Sequence, residues 1–121
     1  MTTPWILMCP PDFYGIEYEI NPWMNRSRAS DRATAARQWN DLKDVLVGAG
    51  ANVALLTPVA GLPDLVFTAN AALVYRRTAV LSRFRHRERQ GEEPIDEAWL
   101  AATGFDVRKL PDDVYFEGAG D

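Results

Sequence analysis

A mixed α/β fold is what this sequence predicts, and three observations predict it. Apolar runs of strand length recur along the chain, as at residues 5–8, 52–56, 78–81 and 105–110. Stretches with apolar residues at helical spacing fall between them, and Gly or Pro closes most of these segments. Strands alternating with helices are the pattern of α/β layers.

The elements follow in order. Residues 5–8 form a short apolar run stopped by Pro10 and Pro11, which reads as a buried strand. Residues 12–28 are irregular. Ser30 and Asp31 are good helix N-caps. From there Ala35, Trp39, Leu42, Leu46 and Ala49 recur at helical spacing until Gly48 and Gly50 mark the end. Residues 52–56 give a second strand, closed by Pro58 and Gly61. In the second half, the apolar runs 65–68 and 71–75 lead to a turn at Arg76-Arg77, and residues 78–81 return as a hairpin partner. Residues 82–93 read as a polar loop. Pro94 suits a first helical turn, and Ile95, Ala98, Trp99 and Ala102 then share one face up to about Thr103. Gly104 ends that helix, 105–110 is another strand, and 114–116 begins a strand that breaks into glycines. The chain thus reads as one partial domain with repeat units of roughly 1–62 and 63–121. An apolar strand running into glycines has nothing to cover its edge, so the chain is read as one part of a larger protein.

Composition narrows the function. The chain has 121 residues, 47% hydrophobic and 25% charged, which suits one globular domain rather than a disordered segment. No apolar run reaches the ~18 residues of a membrane-spanning helix, no leader is evident, and a cytoplasmic location is the default expectation. The net charge of −4 disfavours a protein built to bind nucleic acid and suits a cationic or neutral small molecule slightly better. A single cysteine, Cys9, and a single histidine, His86, exclude a disulfide framework and a His/Cys metal cluster. No Gly-x-Gly-x-x-Gly follows a strand, so neither a metal nor a nucleotide cofactor is expected.

Four segments set polar groups among apolar ones. Residues 17–24 place Glu17 and Glu19 beside Tyr18 and Trp23, which suits either a cation pocket or a packed loop. In residues 61–72, Asp64 precedes an apolar run that Asn70 interrupts; a buried amide needs a partner, at a ligand or at a nearby backbone bulge. Residues 85–92 gather arginines able to grip a carboxylate bidentately, although a solvated charged face explains such a run equally well. Glu117 follows an apolar triplet and precedes Gly118 and Gly120, where backbone and ligand can approach closely. Cys9, next to Pro10, reads as an inert buried thiol and His86 as solvent-facing.

In this order and at these separations, Met8-Cys9-Pro10-Pro11, Glu19-Ile20-Asn21-Pro22-Trp23-Met24, Pro63-Asp64, Phe67-Thr68-Ala69-Asn70, Arg89-Gln90-Gly91-Glu92 and Phe116-Glu117-Gly118-Ala119-Gly120-Asp121 resemble the first part of the guanidine-modifying enzyme superfamily. That family includes arginine deiminases, dimethylarginine dimethylaminohydrolases, amidinotransferases and arginine dihydrolases. The resemblance implies a partial pentein fold, about two ββαβ-type blades of a five-bladed α/β propeller. It also implies a cysteine-dependent attack on a guanidinium carbon. On the matching positions, Glu117 would be the site acid, Asp64 a guanidinium-binding aspartate, Arg89 the clamp for the substrate's α-carboxylate, and Asn21 a loop residue near the substrate. Asn70 stands where deiminases and dimethylarginine hydrolases carry an acid. An amide both donates and accepts hydrogen bonds, so it can tolerate the ureido group of citrulline, as in arginine dihydrolases.

Neither Cys9 nor His86 matches the family nucleophile or base, so this chain alone should turn over negligibly. The reading is the amino-terminal part of an arginine-directed hydrolase, its partners being a guanidino substrate and the remaining blades or further copies of the chain. An amidinotransferase, or a non-catalytic arginine-binding subunit, is the alternative.

Overall fold

The computed structural model describes residues 3–15, 20 and 31–121. They divide into two compact units, Met1–Val66 and Phe67–Asp121. No helix among the described residues is long and apolar enough to cross a membrane.

In the first unit, β1 (Trp5–Met8) pairs in parallel with β2 (Asn52–Leu55), with Trp5 opposite Asn52 and Met8 opposite Leu55. The crossover between them contains α1 (Arg32–Gly48). Asp31 starts this helix as the sequence predicts: its extended backbone precedes the first turn and its carboxylate accepts from the Thr34 amide at 3.1 Å. The Thr34 hydroxyl, which also donates to it, and the Thr34 amide favour the ionised form, so the Asp31 carboxyl lies below its ordinary range. The other end is a Schellman cap. Gly50 takes φ +99° while Ala51 N–H reaches the Leu46 carbonyl and Gly50 N–H that of Val47.

The stripe that α1 half-buries is Ala35, Trp39, Lys43 and Leu46, which corrects the sequence reading at Leu42 and Ala49. Leu42 is one position, and so about 100°, off the 39–43–46 seam, and it is half exposed. Lys43 lies along the seam instead, its ammonium 5.9 Å from the Trp39 ring centroid, as a long aliphatic stem permits. The unit ends in a 3₁₀ turn, Pro63–Val66, in which Asp64 and Leu65 are buried.

The second unit runs β3 (Ala72–Tyr75), β4 (Thr78–Leu81), α2 (Arg87–Gln90), α3 (Glu92–Ala102) and β5 (Asp106–Lys109). Its sheet has the order β3-β4-β5, with β4 antiparallel to β3 and parallel to β5. The predicted hairpin is present, and Arg76 accommodates its two-residue turn at φ 56°. The central strand β4 alternates, with Ala79 and Leu81 inward against Leu100 of α3. Ala72, Trp99, Phe105 and Val107 complete that core. The exit from α3 repeats the cap of α1: Gly104 takes φ +92°, with Phe105 N–H on the Leu100 carbonyl and Gly104 N–H on that of Ala101.

Three sequence expectations need correction. Residues 65–68 are not a strand: successive 3₁₀ turns, Pro63–Val66 and Thr68–Asn70, occupy this stretch, closed by Leu65 N–H on the Leu62 carbonyl and Asn70 N–H on that of Phe67. The loop 82–93 holds α2, and α3 starts at Glu92 rather than Pro94, because a proline lacking its N–H costs nothing in a first turn. Finally, residues 114–116 make no strand; Phe116 alone bridges Arg83, with mutual amide–carbonyl bonds of 2.7 and 3.0 Å.

Truncating Leu100 to Ala empties the middle of the second unit's core and is expected to cost about 2–5 kcal/mol in a denaturant titration. Leu42→Ala, on the exposed side of α1, should change the same measurement by less than about 0.5 kcal/mol.

Candidate functional site

Backbone packing in the second unit brings Asn70 and Glu117 together. Asn70 closes the 3₁₀ turn ahead of β3, where its own carbonyl accepts from the Ser82 hydroxyl and its neighbour's, Ala71, from the Ser82 amide. The bridge from Arg83 to Phe116 then delivers Glu117. Asn70 Nδ2 donates to the Glu117 carbonyl at 3.0 Å, and Gly120 N–H donates to the same oxygen at 2.9 Å.

Space accounts for the glycines seen in the sequence, against backbone at Gly118 and against a side-chain amide at Gly120. A Cβ on Gly118 would sit 2.7 Å from the Ala69 carbonyl oxygen, at φ +56°, and one on Gly120 would sit 2.8 Å from Asn70 Nδ2. The Glu117 amide donates to the Asp121 carboxylate, so the 3₁₀ turn Gly118–Gly120 folds back on Glu117. The Glu117 side chain is half-buried, and among the described residues its carboxylate accepts no hydrogen bond. A half-buried carboxylate with vacant lone pairs suits a cationic N–H-rich group.

On the other side of Asn70 lies Arg89, carried by α2 and only 6% exposed. Its Nε and Nη2 donate to the two oxygens of Glu92, each at 2.8 Å, and its Nη1 donates to Asn70 Oδ1 at 3.2 Å. The Arg89 guanidinium carbon stands 4.4 Å from the centroid of the Phe84 ring, itself 1% exposed. Phe84 is held in turn, its amide on Glu93 Oε2 and its carbonyl accepting from Gln90.

Sequence reasoning missed Glu92 and Asp96 as site components. Glu92 closes the run 85–92 that a solvated charged face would explain, and Asp96 follows it as a further acid, yet both are buried. The available signal was spacing: Glu92, Asp96 and Leu100 follow one another at intervals of four, so they share a face, and that face turns to the core. The predicted face Ile95, Ala98, Trp99 and Ala102 is rotated from it, leaving Ala98 and Ala102 exposed. Burial pushes the Asp96 carboxyl up to about 7, with the Glu92 charge adding to the rise and Arg89 opposing it. Arg85, Arg87 and Glu88 do face solvent.

Of the remaining candidates, one group lies outside the described residues. Asp64 is buried in the first unit. Asn21, with Glu17, Glu19, Tyr18 and Trp23, lies outside the described residues. Cys9 is 1% exposed with its thiol against the Pro10 carbonyl, and His86 is half-buried at the start of α2. Among the described residues no three His, Cys, Asp or Glu side chains are grouped to hold a metal ion.

No family model matches the sequence. The chain is 52% identical over 117 residues to the bifunctional arginine dihydrolase/ornithine cyclodeaminase ArgZ of Synechocystis sp., a match covering 96% of this chain and 16% of ArgZ. It is 38% identical over 114 residues to the N(G),N(G)-dimethylarginine dimethylaminohydrolase of Mycobacterium tuberculosis, covering 94% of this chain and 37% of that enzyme. Among solved structures, the product-bound N-terminal domain of ArgZ, described as an arginine dihydrolase of cyanobacteria, superposes with a TM-score of 0.91. That match has 49% identity and covers 99% of this chain and 44% of that one. The chain therefore spans well under half the length of these curated relatives.

Two outcomes follow from the geometry. Gly118→Ala places a methyl against backbone in a left-handed conformation, and should destabilise the protein by more than about 1 kcal/mol in thermal unfolding. For Asp96, the folded chain keeps a proton that the unfolded chain releases, since its carboxyl titrates near 7 in place of the ordinary 3.8. The unfolded state therefore binds fewer protons across this window, and stability falls as pH rises from about 4 to 7, by no more than about 4 kcal/mol, then levels off. Asp96→Asn should remove that decline, which unfolding curves at pH 5 and pH 8 would reveal.

Proposed function

We propose that this chain, a homologue of the amino-terminal part of the guanidine-modifying hydrolases, supplies substrate-gripping residues to an arginine dihydrolase. The observation that carries the reading is the Asn70 amide, bonded on one side to Arg89 and on the other to the Glu117 backbone. The reaction consumes arginine and two waters and yields ornithine, carbon dioxide and two ammonia. Both a cationic guanidinium and a neutral ureido group must be accommodated on the way. Glu117 is proposed to accept guanidinium N–H groups and to favour a protonated imidazole nearby. An amide at position 70 presents no fixed negative charge to a ureido oxygen, whereas a carboxylate would repel it.

Asp64 and Asn21 are proposed as further substrate contacts on the strength of their motifs. Arg89 is proposed, on its motif, to meet the substrate's α-carboxylate while Glu92 holds its Nε and Nη2. The buried Cys9 is unsuited to attack a substrate. The nucleophile and the histidine base are proposed to lie in the part of the relatives' length that this chain does not span. The same proposal extends to a cytoplasmic pentein propeller completed by further blades; the ββαβ order of the second unit is compatible with one blade.

The test uses the complete protein. Fed arginine, it should release ornithine, and Asn70→Asp should shift the product towards citrulline by at least about tenfold, the equivalent of one lost hydrogen bond in the second hydrolysis. Undiminished ornithine from that variant rejects the role of Asn70. An amidinotransferase would instead require an acceptor amine, so turnover that depends on added glycine would replace the hydrolase reading. Tight arginine binding with no turnover would leave a binding subunit.

A further inference from the structure

We infer that Glu92 is a positioning residue that holds the Arg89 guanidinium and thereby fixes which way round the Asn70 amide sits. The inference rests on the dihydrolase reading and adds to it a residue that touches no substrate.

Asn70 has two near-isosteric ends, so cavity shape cannot choose between them; only hydrogen-bond partners can. Oδ1 faces Arg89 Nη1, a donor, and Nδ2 faces the Glu117 carbonyl, an acceptor. Turning the amide over would oppose donor to donor at Arg89 and acceptor to acceptor at the Glu117 carbonyl. The outcome depends on both partners, and on the Oδ1 side it requires Arg89 to present Nη1 at one place. The guanidinium has two ways to drift. Stacking on Phe84 restrains motion out of its plane. Rotation within the plane is restrained by Glu92, whose two oxygens take Nε and Nη2 in a parallel fork and leave Nη1 as the edge turned to Asn70.

The Asn70 backbone is anchored separately, by its amide on the Phe67 carbonyl and its carbonyl under the Ser82 hydroxyl. What Glu92 contributes is therefore the orientation of a side chain and not the placement of the chain. A charged donor on Oδ1 also polarises the amide, which strengthens Nδ2–H as a donor to Glu117.

Glu92→Gln keeps the size of the side chain but replaces one fork oxygen by an NH₂ that cannot accept. In the complete protein supplied with arginine, the citrulline-to-ornithine ratio is expected to rise about tenfold, and Glu92→Asp, which retains the charge, should shift the same ratio less. Because both products come from the same folded molecules, the ratio is insensitive to a loss of folded protein. In an Asn70→Ser background, Glu92→Gln should leave the ratio where Asn70→Ser alone sets it, since the two act through one path. A fall in total turnover with an unchanged ratio overturns the inference. If the parent protein releases no ornithine at all, the dihydrolase reading fails, and the Asn70 side-chain amide resonance then decides for Glu92. A changed shift and faster exchange in Glu92→Gln support the positioning role, and an unchanged signal removes it.

Discussion

The second unit is organised around one ion pair removed from water, Arg89 with Glu92. Taking two charges out of solvent is expensive, and only good geometry with further hydrogen bonds offsets the cost. Here the fork to Glu92, the ring of Phe84 and the amide of Asn70 together engage the guanidinium from several sides. The pair then imposes conditions on its surroundings. It requires α2 and α3 to follow one another without a break in contact, and it needs an acceptor at position 70, while burial on the same helix face raises the Asp96 carboxyl.

Much of the architecture was legible because it rests on local chemistry. Four-residue apolar runs, Asp31 ahead of a helical period, and Gly50 and Gly104 behind two helices all act within a few residues of themselves. The short turns at 63–66 and 68–70 were not legible. Their sequence is as apolar as a strand, and whether such a run extends or coils depends on tertiary packing rather than on its own pattern. The start of α3 was hidden for a different reason. Its inward face opens with Glu92 and Asp96, and a reader who assigns charge to solvent rotates the helix away from its true seat.

The candidate site was legible in its parts and not in its connections. Asn70 within an apolar run, and Glu117 ahead of glycines, both announce themselves by the cost of burying a polar group. That the Asn70 amide spans from a guanidinium to a backbone carbonyl 47 residues away follows from the fold alone. Arg89 was legible as an arginine with a task; its inward orientation became evident only with Glu92 at its side. The motif match placed these residues in order, and the packing explains why the order matters: Gly118 lets the loop lie against the backbone of Ala69 and Asn70, and Gly120 lets it lie against the Asn70 side-chain amide.

This close fit has an evolutionary consequence. A carboxylate at position 70 could still accept from Arg89, but it would turn an oxygen on the Glu117 carbonyl, so the exchange is unfavourable unless that loop changes with it. Lineages that diverge in what they make from arginine would then travel by paired replacements, one at position 70 and one among residues 117–121, with either alone at a disadvantage. Epistasis between two distant stretches of chain is thus built into a single amide.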